Sequence, residues 1–151
     1  MAAVCAELGL NTKVYGLDTF SGMPATDKCV DAHDEGDFKG TELVELRDYV
    51  DRIGLCNLQF VSGLFEDTAP GLLPRIGPIN LAHIDCDIRS SVAYSYEAVK
   101  PHMATGGYVI FDDGLVSSCL GATEAVEDLL IRRDGLNSEQ VYPHYVFRAG
   151  F

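Results

Sequence analysis

Short apolar runs alternate along the chain with stretches whose apolar residues recur at helical spacing. The runs cover residues 13–17, 57–61, 79–84, 108–111 and, rich in aromatics, 142–148. Their length and continuity predict strands of a sheet with both faces covered. Between them, Leu43, Leu46, Val50 and Ile53 trace one helical face over 41–53, with Thr41 as N-cap and Gly54 as stop. Val92, Tyr96 and Val99 trace a second helix, capped by Ser90 or Ser91. A third carries Ala122, Ala125, Val126, Leu129 and Leu130 and ends near Gly135. Residues 1–9 read as the tail of a helix ending at Gly9, and residues 62–77 hold at most a short helix. Strand and helix alternate throughout, which predicts one α/β domain over 1–151, doubly wound around a mainly parallel sheet.

The stretch 79–114, INLAHIDCDIRSSVAYSYEAVKPHMATGGYVIFDDG, organises the rest. Two apolar strands separated by a helix form a βαβ unit with parallel, right-handed neighbours. Adjacent strands would bring their carboxyl ends within about 5 Å of each other. Asp85, Asp112 and Asp113 then converge at the sheet edge where open α/β folds bind ligands. Three close carboxylates repel unless a cation or protons intervene, and hard oxygens in this number suit Mg²⁺. The competing reading is helix capping and loop solvation. Asp87, on the same turn, is expected to cap the following helix or to pair with Arg89.

Other positions admit two readings each. Asp18, directly after the first strand, suits either a ribose hydroxyl pair or an Asx-turn. Ser62 and Gly63 follow the second strand and suit either an adenine edge or a simple turn. The segment 19–40 is too long for an ordinary connection, so it is either functional or disordered. His33 lies within it, as a general base, a substrate contact or one residue of a solvated acidic loop. His83, inside an apolar strand, is expected in the core, and His102 and His144 at surface or strand positions.

Composition then narrows the partners. The formal charge of −12 disfavours nucleic acid and anionic membrane surfaces alike. No apolar run reaches the roughly 20 residues that span a bilayer. The N-terminus has no basic region and is not a signal peptide. Five cysteines without CxxC spacing read as reduced thiols of a cytoplasmic protein, neither a disulfide framework nor a zinc site. Serine-hydrolase, P-loop and zincin signatures are missing from the sequence.

Four segments in order, VYGLDTFSGMP, FVSGLFEDTAP, HIDCDIRSS and GGYVIFDDG, resemble the macrocin O-methyltransferase family, and the helix GATEAVEDLL continues the match. The resemblance implies a class I, Rossmann-like fold that uses S-adenosylmethionine and Mg²⁺ to methylate a sugar hydroxyl of a small molecule. By position it implies that Asp18 holds the cofactor's ribose, flanked by Thr19 and Phe20. Ser62, Gly63 and Phe65 would form the adenine pocket, and Asp85, Asp112 and Asp113 the metal ligands. His33 is the candidate base, with Asp85 as the other.

The family places an earlier strand and a glycine-rich turn before the first strand seen here, in the middle of its sheet. This chain starts after both, so weak or absent cofactor binding is expected of it. Either the chain is a fragment, or the two strands flanking the gap pair directly, or another subunit fills the opening, and the open sheet predicts a homodimer. The alternative to an enzyme is a non-catalytic module that keeps a metal or small-molecule pocket. A Mg²⁺-dependent phosphohydrolase ranks last, because DTFSG lacks the second Asp such sites use.

Overall fold

The computed structural model describes residues 1–150. In chain order the elements are α1 (Ala2–Glu7), β1 (Val14–Asp18), α2 (Leu43–Arg52), β2 (Leu58–Ser62), α3 (Phe65–Ile76), β3 (Ile79–Ile84) and α4 (Arg89–Val99). They continue with β4 (Met103–Phe111), α5 (Leu120–Val126), a π-helical extension (Glu127–Arg133), β5 (Ser138–Gln140) and β6 (Tyr145–Arg148). Among the described residues no helix is long and apolar enough to cross a membrane.

The strands form two sheets. β1 and β2 pair in parallel, and a second sheet runs β3-β4-β6-β5, with β3 and β4 parallel and β6 antiparallel to both its neighbours. β1 and β3 do not pair, so direct closure of the gap is not what this chain does. The core lies on one face of the larger sheet, where Ile84, Val109, Phe111 and Phe147 meet Val92 and Tyr96 of α4 and Ala125 and Val126 of α5. Phe111 sits edge-on to both Tyr96 and Phe147, at centroid distances of 6.2 and 6.1 Å. The opposite face of β3 is uncovered: Leu81 and His83 are exposed, so His83 is not the core residue expected of an apolar strand. The alternation decides this, because His83 falls one residue before Ile84, which points the other way into the core.

Several boundaries differ from expectation. Residues 65–76 form a full helix despite Pro70 and Pro74. The two prolines are four apart and both exposed, so the carbonyls they leave without N–H donors lie on the solvent side. Ala69, Leu72 and Leu73 bury the other side, and that burial outweighs propensity. β4 starts five residues earlier than its apolar run, at Met103. Its register to β3 jumps from Ile79↔Met103 to Leu81↔Tyr108, and Gly106 and Gly107 absorb the excess. The final aromatic segment divides into a turn and the shorter β6, paired to β5.

Neither serine caps α4. The helix starts at Arg89, and the Arg89 N–H donates instead to Asp31 Oδ1 at 2.9 Å, from a loop 58 residues away. Thr41 likewise stands outside α2, whose N-cap position is Glu42.

Candidate active-site cleft

Strand pairing assembles the site. Asp18 and Ser62 are register partners at the ends of β1 and β2. Gly63 N–H donates to Asp18 O at 2.9 Å, and Ser62 Oγ lies 3.4 Å from Thr19 O. Asp18 Oδ1 accepts the Phe20 N–H at 2.6 Å, an Asx-turn that holds Phe20 at φ 54°. Phe20 packs edge-on against Phe60 at 6.0 Å. Asp18, Thr19, Phe65, Asp85 and Asp87 line one cleft, which Met23 and Phe38 close from the long loop. The C-terminal rims of the two sheets thus face a common space. Phe20, Ser62 and Gly63 stand outside that lining.

At the second rim, Ile84 and Phe111 are register partners and Asp112 N–H donates to Ile84 O at 3.0 Å. Asp85, Asp112 and Asp113 therefore leave the sheet side by side. Carboxylate oxygens of Asp85, Asp87 and Asp113 lie within 4.8 Å of one another. Asp112 turns toward the uncovered face, with Oδ1 at 3.3 Å from His83 Nε2 and 3.2 Å from His144 Nδ1. Asp113 is buried, and its Oδ2 accepts the Cys86 and Asp87 N–H groups at 3.0 and 2.8 Å. Burial, and then the carboxylates of Asp113, Asp112 and Asp87, push Asp85 up to about 6. Burial and Asp113 also raise Asp87.

This donor set fits a hard divalent cation. Mg²⁺ holds oxygens at about 2.1 Å, so trans ligands stand about 4.2 Å apart, close to the spread of these carboxylates. The charge that raises Asp85 is the charge such an ion would offset.

The long loop is ordered against this rim. Met23 N–H donates to Asp37 O at 2.8 Å and Gly36 N–H to Met23 O at 2.9 Å, which closes the loop on itself. Buried Asp31 ties it to α4. His33 points away from the cleft lining: Nε2 is 3.6 Å from Cys119 Sγ and Nδ1 3.7 Å from Asp37 Oδ2. Asp87 neither caps α4 nor pairs with Arg89. Its backbone is left-handed at φ 58°, and Oδ1 accepts the Cys119 thiol at 3.5 Å. Arg89 pairs with Glu124 and Asp128 instead.

Sequence reasoning passed over Asp31, Phe38 and Cys119. The only signal for the first two was the length of their loop. Cys119 had none, because its partners lie 86 and 32 residues away.

Comparison with known proteins agrees with this architecture. The fold superposes on the O-methyltransferase NovP with a TM-score of 0.83 at 20% identity, over 100% of this chain and 66% of that one. It superposes on the calicheamicin methyltransferase CalS11 with a TM-score of 0.84 at 21% identity, over 99% and 66%. The fold is that of a class I methyltransferase. The family model for TylF, macrocin-O-methyltransferase, matches residues 1–134, and the chain belongs to that family. It is 29% identical over 119 residues to the 8-demethyl-8-(2,3-dimethoxy-alpha-L-rhamnosyl)-tetracenomycin-C 4'-O-methyltransferase of Streptomyces olivaceus. That match covers 73% of this chain and 45% of the relative, so the chain spans about half the length of the curated relative.

Proposed function

We propose that this chain carries the acceptor side and part of the cofactor grip of an S-adenosylmethionine-dependent O-methyltransferase acting on a sugar hydroxyl. The observation that carries the reading is the shared cleft: Asp18 and Asp85, from the ends of β1 and β3, line one space beside Asp112 and Asp113. Family membership and the sugar-methylating relative support the substrate class.

Asp18 has acceptor capacity beyond its one bond to Phe20, which suits a ribose diol; Thr19 and Phe65 of the lining, with Phe20, Ser62 and Gly63 outside it, would form the adenine side. Bound there, S-adenosylmethionine would supply an electrophilic methyl group. Asp85, Asp87 and Asp113, whose carboxylates the fold brings together where Asp112 was expected, would hold Mg²⁺, which would lower the pKa of a sugar hydroxyl bound to it. Asp85 faces the cleft and is the carboxylate placed to take the hydroxyl proton. His33, the other candidate base, has both ring nitrogens turned to Cys119 and Asp37, so the proton falls to Asp85. Met23, Phe38 and Phe65 give the cleft apolar surface against which an acceptor would be oriented.

The separation of β1 from β3 favours a second reading, in which the pocket binds metal and small molecules without turnover. Soaking with Mg²⁺ and S-adenosylhomocysteine, followed by titration calorimetry, tests the binding. Metal density between Asp85 and Asp113, abolished in Asp85→Ala, is the expected result. Unchanged Mg²⁺ affinity in that variant removes the metal assignment. Label transfer from S-adenosylmethionine to a deoxysugar glycoside then separates enzyme from binding module.

A further inference from the structure

A second cluster of donors lies behind the acidic rim, and its chemistry is different. His33 Nε2, an Asp87 carboxylate oxygen and Cys119 Sγ all lie within 4.8 Å of one another. They come from three places in the fold: the long loop, the turn after β3 and the residue preceding α5. We propose that His33, Asp87 and Cys119 form a binding site for a borderline-soft divalent ion of the Zn²⁺ class, beside the Mg²⁺ site and sharing Asp87 with it.

Distances carry the argument. A tetrahedral zinc with Zn–S of about 2.3 Å, Zn–N of about 2.05 Å and Zn–O of about 2.0 Å sets sulfur about 3.5–3.6 Å from nitrogen and about 3.5 Å from oxygen. Here Cys119 Sγ stands 3.6 Å from His33 Nε2 and 3.5 Å from Asp87 Oδ1. The edges meeting at sulfur already have the required length.

The surroundings have the form of an outer coordination shell. Metal-bound histidines hand their second ring nitrogen to a carboxylate, which fixes the ring and its tautomer. The carboxylate behind His33 is Asp37, 3.7 Å from Nδ1, and Asp37 is itself fixed by the Asp34 N–H at 2.8 Å. Cys119 is 1% exposed, and Ser118 Oγ lies 3.7 Å from its sulfur as a donor for a thiolate. The Asp87 backbone is left-handed at φ 58°, and its carboxylate faces Cys119. Three protein ligands leave a fourth position open.

An ion here would clasp the long loop to α5 and so hold Met23 and Phe38 over the cleft. A thiolate selects against Mg²⁺, so the two sites would load with different metals. The site is invisible to motif reading, since no two of its ligands share a local spacing.

Cobalt(II) added to the chelator-treated, reduced full chain reports directly on the site. The expected result is a thiolate-to-cobalt charge-transfer band with intense visible bands of a tetrahedral ion, displaced by Zn²⁺ and unaffected by Mg²⁺. Cys119→Ser loses the charge-transfer band, whereas Cys29→Ser and Cys56→Ser, at exposed positions, keep it. His33→Gln lowers cobalt affinity at least 10-fold, and Asp37→Asn lowers it on the order of 10-fold. Absence of the band in the parent chain, or its persistence in Cys119→Ser, overturns the proposal. Should Cys119→Ser fail to fold, unchanged affinity in His33→Gln is decisive against it. Asp85→Ala keeps the cobalt spectrum, so loss of the Mg²⁺ site and loss of this one are read independently.

Discussion

Asp31 and Arg89 are joined by a backbone hydrogen bond: the buried carboxylate accepts the first N–H of α4 at 2.9 Å. It replaces the serine cap that the local sequence offers, and it anchors the long loop beside the cleft. Removing a cap of this kind costs about 0.5–2 kcal/mol. Asp31→Ala should therefore lower stability by about 1–2 kcal/mol in urea unfolding. It should also speed amide exchange across residues 20–40. Gly121→Ala should act on the same bond, because its new methyl group would meet the Asp31 carboxylate. Faster exchange confined to α4, with the loop unchanged, would refute the anchoring role.

Asp112 and Asp113 are neighbours with separable roles. Asp113 accepts two backbone N–H groups around Cys86, so Asp113→Ala strands both donors. Each buried unsatisfied group costs about 1–3 kcal/mol, and a loss of about 3 kcal/mol in unfolding free energy is expected. The Asp112 carboxylate pairs with imidazoles on the open face, so Asp112→Ala should cost less than about 1 kcal/mol and leave Mg²⁺ binding in place, whereas Asp113→Ala removes it. Chemical denaturation and calorimetry on the two variants distinguish the roles.

Asp85 gives the metal-free chain a pH dependence. Its carboxyl is raised from 3.8 to about 6 by burial and by its acidic neighbours. Between those values the folded chain binds more protons than the unfolded one, so this contribution to stability falls as pH rises from about 4 to about 6. Above about 6 the loss is complete. Asp85→Asn should flatten that part of the urea-unfolding profile, and Mg²⁺ should oppose the loss. A profile identical in parent and variant would count against the perturbed carboxyl.

Gly107 lies at the register jump between β3 and β4. A Cβ there would stand 2.8 Å from Asn80 O and 3.0 Å from Ala104 O, both backbone atoms that cannot swing aside. Gly107→Ala should destabilise by about 1–3 kcal/mol, whereas Gly71→Ala, with open space around it in an exposed helix position, should not. Thermal unfolding of the pair checks this.

The sequence by itself determined the alternation of strands and helices from β1 to α5, the pairing of β3 with β4, and the acidic ends of both. Those features are local: continuous apolar runs, helical spacing and the residues that immediately follow a strand. It also determined the family, because four motifs in fixed order carry it. Tertiary structure decided what depends on contacts across the chain. Asp31 rather than a serine caps α4, because a carboxylate 58 residues away reaches the same N–H. His83 lies on an uncovered face because strand alternation, not apolar context, sets which way a side chain points. Residues 65–76 stay helical through two prolines because both face solvent while Ala69, Leu72 and Leu73 bury the opposite side. His33, Asp87 and Cys119 come together only in the folded chain, since proximity between distant residues leaves no pattern in the order of the letters.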